Sequence, residues 1–117
     1  MSGNRARSPE HLLFVYGTLA PGEENAHILA PLGGSWEPAS VFGSVHPEGW
    51  GATHGFPGLR LGDGPDKVSG LLFFSPALEQ FWPELDEFEG SDYRRAQALV
   101  MLEDDSQFMA NVYIISD

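Results

Sequence analysis

YRRAQALVMLEDDSQFMANVYII, residues 93–115, is the stretch on which the reading of the fold turns. Tyr93 to Leu102 and Gln107 to Ile115 are two long β-type runs, and the EDDS segment between them is the kind of polar link that closes a hairpin. Working back along the chain, Val68 to Phe74 (VSGLLFF) reads as a further strand, and Leu12 to Tyr16 (LLFVY) as a short buried one that ends in a turn at Gly17. Ser75-Pro76 is a helix start, a capping hydroxyl followed by proline in the first turn. The helix it opens is expected to run towards Phe88, bent or restarted at Pro83.

The remaining segments are less regular. Glu24 to Leu32 suits a short helix with Pro31 near its end. Gly33 to Gly64 is dense in glycine and proline, so short bent strands such as Ser40 to Val45 joined by turns are expected there. Asp63-Gly64-Pro65-Asp66 reads as a turn. The order is strand, short helix, β-rich middle, strand, helix, hairpin. That order implies an α+β fold, with a mostly antiparallel sheet able to roll into a small β-barrel with short flanking helices. Residues 1–10 are expected to be a disordered N-terminal tail and 11–117 a single domain.

Composition excludes several classes of function. Seventeen acidic residues face six basic ones, a formal charge of -11, and such a surface repels nucleic-acid phosphates and anionic membranes alike. With no cysteine there is no thiolate nucleophile, disulfide or cysteine-based zinc site. No apolar run is long enough to span a bilayer, and the first ten residues lack a signal-type apolar core, so a cytoplasmic protein is expected.

Leu85-Asp-Glu-Phe-Glu89 contradicts the usual chemistry of a helix end. Carboxylates crowd the C-terminus of the expected helix, where the backbone already concentrates partial negative charge. On a helical wheel Leu78, Phe81, Trp82, Leu85 and Phe88 form one apolar stripe, and Glu89 falls within it. Glu84 and Glu87 point the other way, with Asp86 at the margin. An inward carboxylate at that end has two reasons to hold its proton more tightly, lost hydration and the helix dipole, which suits a proton carrier near neutral pH. Pairing of Glu89 with Arg94 or Arg95, or a frayed solvated side chain, fits the same pattern. Likewise Tyr16-Gly17-Thr18-Leu19 fits either a strand-end turn that offers backbone N–H groups to an anion or an ordinary strand-to-helix turn.

Taken together, the two segments resemble the gamma-glutamylcyclotransferase-like family, most closely its gamma-glutamylamine cyclotransferase branch. The first signature reads FVYGTLAPGEENAHIL, with Asn25 in the matching place, and the second LDEFEGSDYRR, with Tyr93 and Arg95 matching. GFPGLRL, VSGLLFF and Tyr113 fit in order between and after them. One departure is visible: Ala20-Pro21 stands where the family often has a basic residue. The resemblance implies a small mixed barrel with Glu89 as general acid/base and Tyr16, Gly17, Thr18 and Leu19 as the substrate-binding turn. Tyr93 and Arg95, on one face of a strand, would support the site.

The implied reaction turns a γ-glutamyl amide into 5-oxoproline and a free amine, by attack of the substrate's own α-amine on its γ-carbonyl. It calls for no cofactor and no metal. The backbone donors of the turn fit the substrate carboxylate or the developing oxyanion equally well. His11, His27, His46 and His54 lack the tight spacing of a ligand set, so scattered surface or loop roles are expected. The alternative function is a non-catalytic module on the same fold that binds a small ligand or a partner.

Overall fold

In this computed structural model the described residues are 8–16, 26–46, 58–62, 66–90 and 93–115. They form six strands: β1 (Leu12–Val15), β2 (Ser35–His46), β3 (Gly58–Leu61), β4 (Lys67–Phe74), β5 (Tyr93–Leu102) and β6 (Gln107–Ile115). One α-helix, α1 (Trp82–Glu89), and several short 3-10 turns accompany them. Strands neighbour one another in the order β3-β2-β4-β1-β6-β5, and β5 pairs again with β2 through Ala39↔Leu102 and Ser40↔Met101. That last pairing closes β2, β4, β1, β6 and β5 into a five-stranded barrel. All pairings are antiparallel except β1 with β6, which run parallel at Leu13↔Asn111. No helix of the described residues is long and apolar enough to cross a membrane.

β1 is buried along its whole length because it has hydrophobic neighbours on both faces. Leu12 and Phe14 point into the barrel with Val41, Leu59, Leu72, Val100 and Val112. Leu13 and Val15 point outward and pack with Phe73, Leu78, Trp82, Leu85 and Tyr113 beneath α1. The alternation of successive side chains thus feeds two cores, one inside the barrel and one between its wall and the helix.

The helical region begins as the sequence indicates and then departs from it. Ser75 accepts a hydrogen bond from the Ala77 N–H and donates one to the Leu32 carbonyl, at 3.2 Å each. Beyond Ser75 the chain makes a 3-10 turn, Pro76–Gln80, and α1 starts afresh at Trp82 with Pro83 in its first turn. Proline inside one continuous helix would lose a hydrogen bond and clash with the preceding turn, hence the restart. Within α1 the buried stripe is narrower than the wheel implies, and Phe88 lies about 60° further round than Leu85. Leu78, Trp82 and Leu85 are buried, but Phe88 is 40% exposed, contrary to the expected stripe. Ser75 is fully buried, so Ser75→Ala is expected to cost about 1–2 kcal/mol through the lost cap and carbonyl bond, read as a lower urea midpoint.

Three other expectations need correcting. Residues 26–32 form two 3-10 turns, Ala26–Ile28 and Ala30–Leu32, because Pro31 and the left-handed Gly33 interrupt any longer helix. β2 is a twelve-residue strand, far longer than the expected Ser40 to Val45. Pro9 and Glu10, assigned to the tail, belong to a 3-10 turn pinned to the barrel. Asn111 Nδ2 donates to the Pro9 carbonyl at 2.8 Å and Trp82 Nε1 to that of Glu10 at 3.0 Å. The expected turn at 63–65 lies outside the described residues.

Candidate active site

Tyr16 comes directly after the last residue of β1 and is half-buried, packed against the barrel core with its ring 6.3 Å from that of Phe14. Its hydroxyl donates to the Tyr113 carbonyl at 2.7 Å and accepts from the Leu59 N–H at 3.1 Å. One side chain therefore joins the ends of β1, β3 and β6. Through it the segment leading into Gly17, Thr18 and Leu19 is anchored; those three residues lie outside the described set.

On the outer wall, α1 brings the second group of residues. Glu89 is its last residue, and the Glu89 side chain is outside the described set. Asp86, one turn earlier, accepts a hydrogen bond from the Tyr113 hydroxyl at 2.7 Å and faces Arg95 Nε at 3.3 Å, both on Oδ1. The Arg95 guanidinium also lies 4.5 Å above the Trp82 ring, a stacked cation–π contact. Its described carboxylate partner is thus Asp86, where the sequence pattern offered Glu89. Tyr93 packs against the outer cluster that includes Trp82 and Leu85, on the same wall, as strand alternation with Arg95 requires. The Arg95–Trp82 pair also borders an open depression of about 360 Å³ that reaches Glu10, Gln97 and Asn111.

The helix stops at Gly90, whose N–H donates to the Asp86 carbonyl at 3.1 Å. Gly90 has φ 80° and ψ -171°, a backbone region almost reserved for glycine. Gly90→Ala is expected to cost about 1–3 kcal/mol from that strain alone, since a Cβ there would meet no neighbour within 4 Å. Denaturant unfolding measures it; an unchanged midpoint would show that the chain leaves the helix in an ordinary conformation.

Asp86 and Tyr113 are the members of this site to which the sequence pattern assigns no role. Asp86 sits at the margin of the helical stripe, and its partner is 27 residues away. A signal did exist for Tyr113: it pairs directly across the hairpin with Arg95. Of the four histidines, His11 gains a close acidic partner, Glu79 Oε1 at 3.0 Å, and with Glu10 the three place polar atoms within 4.8 Å of one another. The His11–Glu79 hydrogen bond ties the Pro9–His11 turn to the Pro76–Gln80 turn. His27 is exposed, while His54 and the His46 side chain are outside the described residues.

Residues 13–117 match the family described as gamma-glutamyl cyclotransferase, AIG2-like. The chain belongs to that family. A gamma-glutamyl cyclotransferase, AIG2-like chain should share the barrel of solved relatives, and it does. YkqA from Bacillus subtilis is 28% identical with a TM-score of 0.70, over 90% of this chain and 35% of that one. This chain therefore spans about a third of that relative. An AIG2-like protein from Mus musculus is 24% identical, TM-score 0.69, over 89% of this chain and 76% of its own. A structure described as gamma-glutamyl cyclotransferase is 19% identical, TM-score 0.66, over 92% and 67%. At the lower identities these likenesses speak for the fold alone. No curated protein gave a significant match.

Proposed function

We propose that the protein is a cyclotransferase that converts a γ-glutamyl amide into 5-oxoproline and the free amine. The observation that carries this reading is Tyr113, which holds Tyr16 by its backbone and the helix ending in Glu89 by its side chain. Two segments distant in the chain, each bearing half of the family signature, are thereby fixed to one strand.

In the reaction the substrate's α-amine attacks its own γ-carbonyl. A C–N bond closes the five-membered ring, and the original amide C–N bond breaks. Holding the substrate in the folded conformer supplies most of the advantage, because both reacting groups belong to one molecule. Glu89 takes a proton from the α-ammonium, freeing the nucleophile, and returns it to the departing nitrogen; the second proton, shed by the ring nitrogen on closure, passes to the same amine, which departs as an ammonium. Backbone N–H groups of the Tyr16-Gly17-Thr18-Leu19 turn bind negative charge, on the substrate carboxylate or on the oxyanion. Tyr16 itself serves as the anchor of that turn, since its hydroxyl proton is committed to Tyr113. Every atom is accounted for by substrate and side chains, so the reaction asks for no cofactor.

The test is release of 5-oxoproline from γ-glutamyl-alanine, γ-glutamyl-ε-lysine and glutathione. Turnover of one of them establishes the reaction and its leaving group together. Binding of 5-oxoproline without turnover of any γ-glutamyl amide would replace this reading with that of a ligand-binding module.

A further inference from the structure

The last turn of α1 has little apolar anchorage. Leu85 is fully buried, but Phe88, the next apolar residue of the helix, is 40% exposed. Among the described side chains it is Asp86 that holds this turn. Its carboxylate accepts the Tyr113 hydroxyl at 2.7 Å, and its main-chain carbonyl accepts the Gly90 N–H at 3.1 Å. A hydroxyl bonded to a carboxylate is stronger than a neutral pair and fixes direction as well as distance. Arg95 Nε, 3.3 Å from the same oxygen and steadied on the Trp82 ring, holds that carboxylate in the accepting position.

Tyr113 is 5% exposed, and its main-chain carbonyl accepts from the Tyr16 hydroxyl, 97 residues away. Its two ends therefore touch both segments of the candidate site. We propose that Tyr113 and Asp86 are a positioning couple: their hydrogen bond sets where the Glu89 turn stands relative to the Tyr16 strand end, and Arg95 locks it. Neither residue touches the substrate. The catalytic consequence rests on the cyclotransferase reading above; the mechanical consequence does not.

Two readouts on the full chain test this. Tyr113→Phe keeps the ring in its packed place and removes the hydroxyl. Hydrogen exchange at the Gly90 amide is expected to speed up by about tenfold or more, with barrel amides such as those of β4 unchanged. On the γ-glutamyl amide that turns over best, kcat is expected to fall by about 10- to 100-fold while KM stays within about twofold, the signature of a misplaced proton carrier. Asp86→Ala, which also frees Arg95, should lose at least as much as Tyr113→Phe, and the double variant should be no worse than Asp86→Ala alone, because the bond between them is then already gone. Asp86→Asn, which keeps the accepting oxygen, should recover kcat by about tenfold over Asp86→Ala.

Unchanged Gly90 exchange in Tyr113→Phe would overturn the couple. So would losses in the two single variants that simply multiply in the double. A uniform rise in exchange across the barrel would reduce Tyr113 to a general stabiliser and overturn it too. If wild-type protein releases no 5-oxoproline, the cyclotransferase reading falls by itself, and Gly90 exchange still decides the couple.

Discussion

Glu89→Gln is expected to lower kcat for 5-oxoproline release by about 100- to 10,000-fold, the range that a positioned proton carrier contributes. Glutamine keeps the length and the hydrogen-bonding oxygen of glutamate but cannot ferry a proton. The loss should appear in kcat, with KM changed little, because in the proposed reaction Glu89 acts after the substrate is bound, freeing the α-amine and protonating the departing nitrogen. Thermal unfolding of the variant beside wild type separates chemistry from stability, and the two midpoints are expected to agree within a few degrees. The neighbouring Glu87, exposed on the outer side of α1, provides the comparison: Glu87→Gln removes the same charge from the same turn. Equal turnover by wild type and Glu89→Gln would take Glu89 out of the mechanism.

The second large effect is on the barrel itself. Gly70 lies in β4 where that strand crosses the end of β1. A Cβ added there would run into the carbonyl oxygen of Val15 and come within 2.7 Å of the Phe14 ring. A flexible side chain could yield, but a backbone oxygen moves only if the β1–β4 ladder opens around Val15↔Leu71. Gly70→Ala is therefore expected to cost about 3 kcal/mol, the upper part of the overpacking range, and to lower the thermal midpoint by roughly 10 °C. Urea denaturation gives the free energy directly. A cost under about 1 kcal/mol would mean that β4 and β1 stand further apart than their register implies. Val15 immediately precedes Tyr16, so any partly folded variant should also bind substrate less well.

The parts of this fold that were legible in the sequence are those specified locally. The closing hairpin was readable to its ends because Glu103-Asp104-Asp105-Ser106 offers no apolar residue to extend either strand, and Asp104 and Asp105 supply the turn. β1 and β4 announced themselves by apolar runs that only a two-sided core can bury. β2 was mostly hidden, because Pro38 and Gly43 look like breaks. Pro38 is tolerated just ahead of Ala39 and Ser40, where β2 first needs donors on both edges, and the strand before it is held by the Trp36–Phe73 ring contact at 4.5 Å. No local rule reports such a contact.

The candidate site divides in the same way. The helix-end carboxylates and the Tyr-Gly-Thr-Leu turn stood out as patterns, yet which carboxylate meets which cation depended on the register of β5 against β6. Arg95 was a plausible partner for Glu89 by sequence distance. The hairpin register sets it beside Tyr113, and both converge on Asp86. The Phe88 error has a geometric origin: Phe88 shares α1 with Trp82 and Leu85 but stands at the edge of their stripe, and a helical wheel does not report how far the wall beneath it reaches.

The parallel pairing of β1 with β6 governs when the barrel can close. β1 leaves the ribosome well before its neighbour Asn111 and the anchor of Tyr16, Tyr113, which belong to the last of the described strands. Until β6 has emerged, the barrel has an open seam and Tyr16 has no carbonyl to grip. The Asp86 turn lacks its phenol over the same interval. Contacts so distant along the chain form slowly and all at once, in the manner of sheet proteins dominated by non-local pairing. A nascent chain stalled before residue 113 would hold both signature segments without the residue that joins them, so they are fixed to one another only with the final stave.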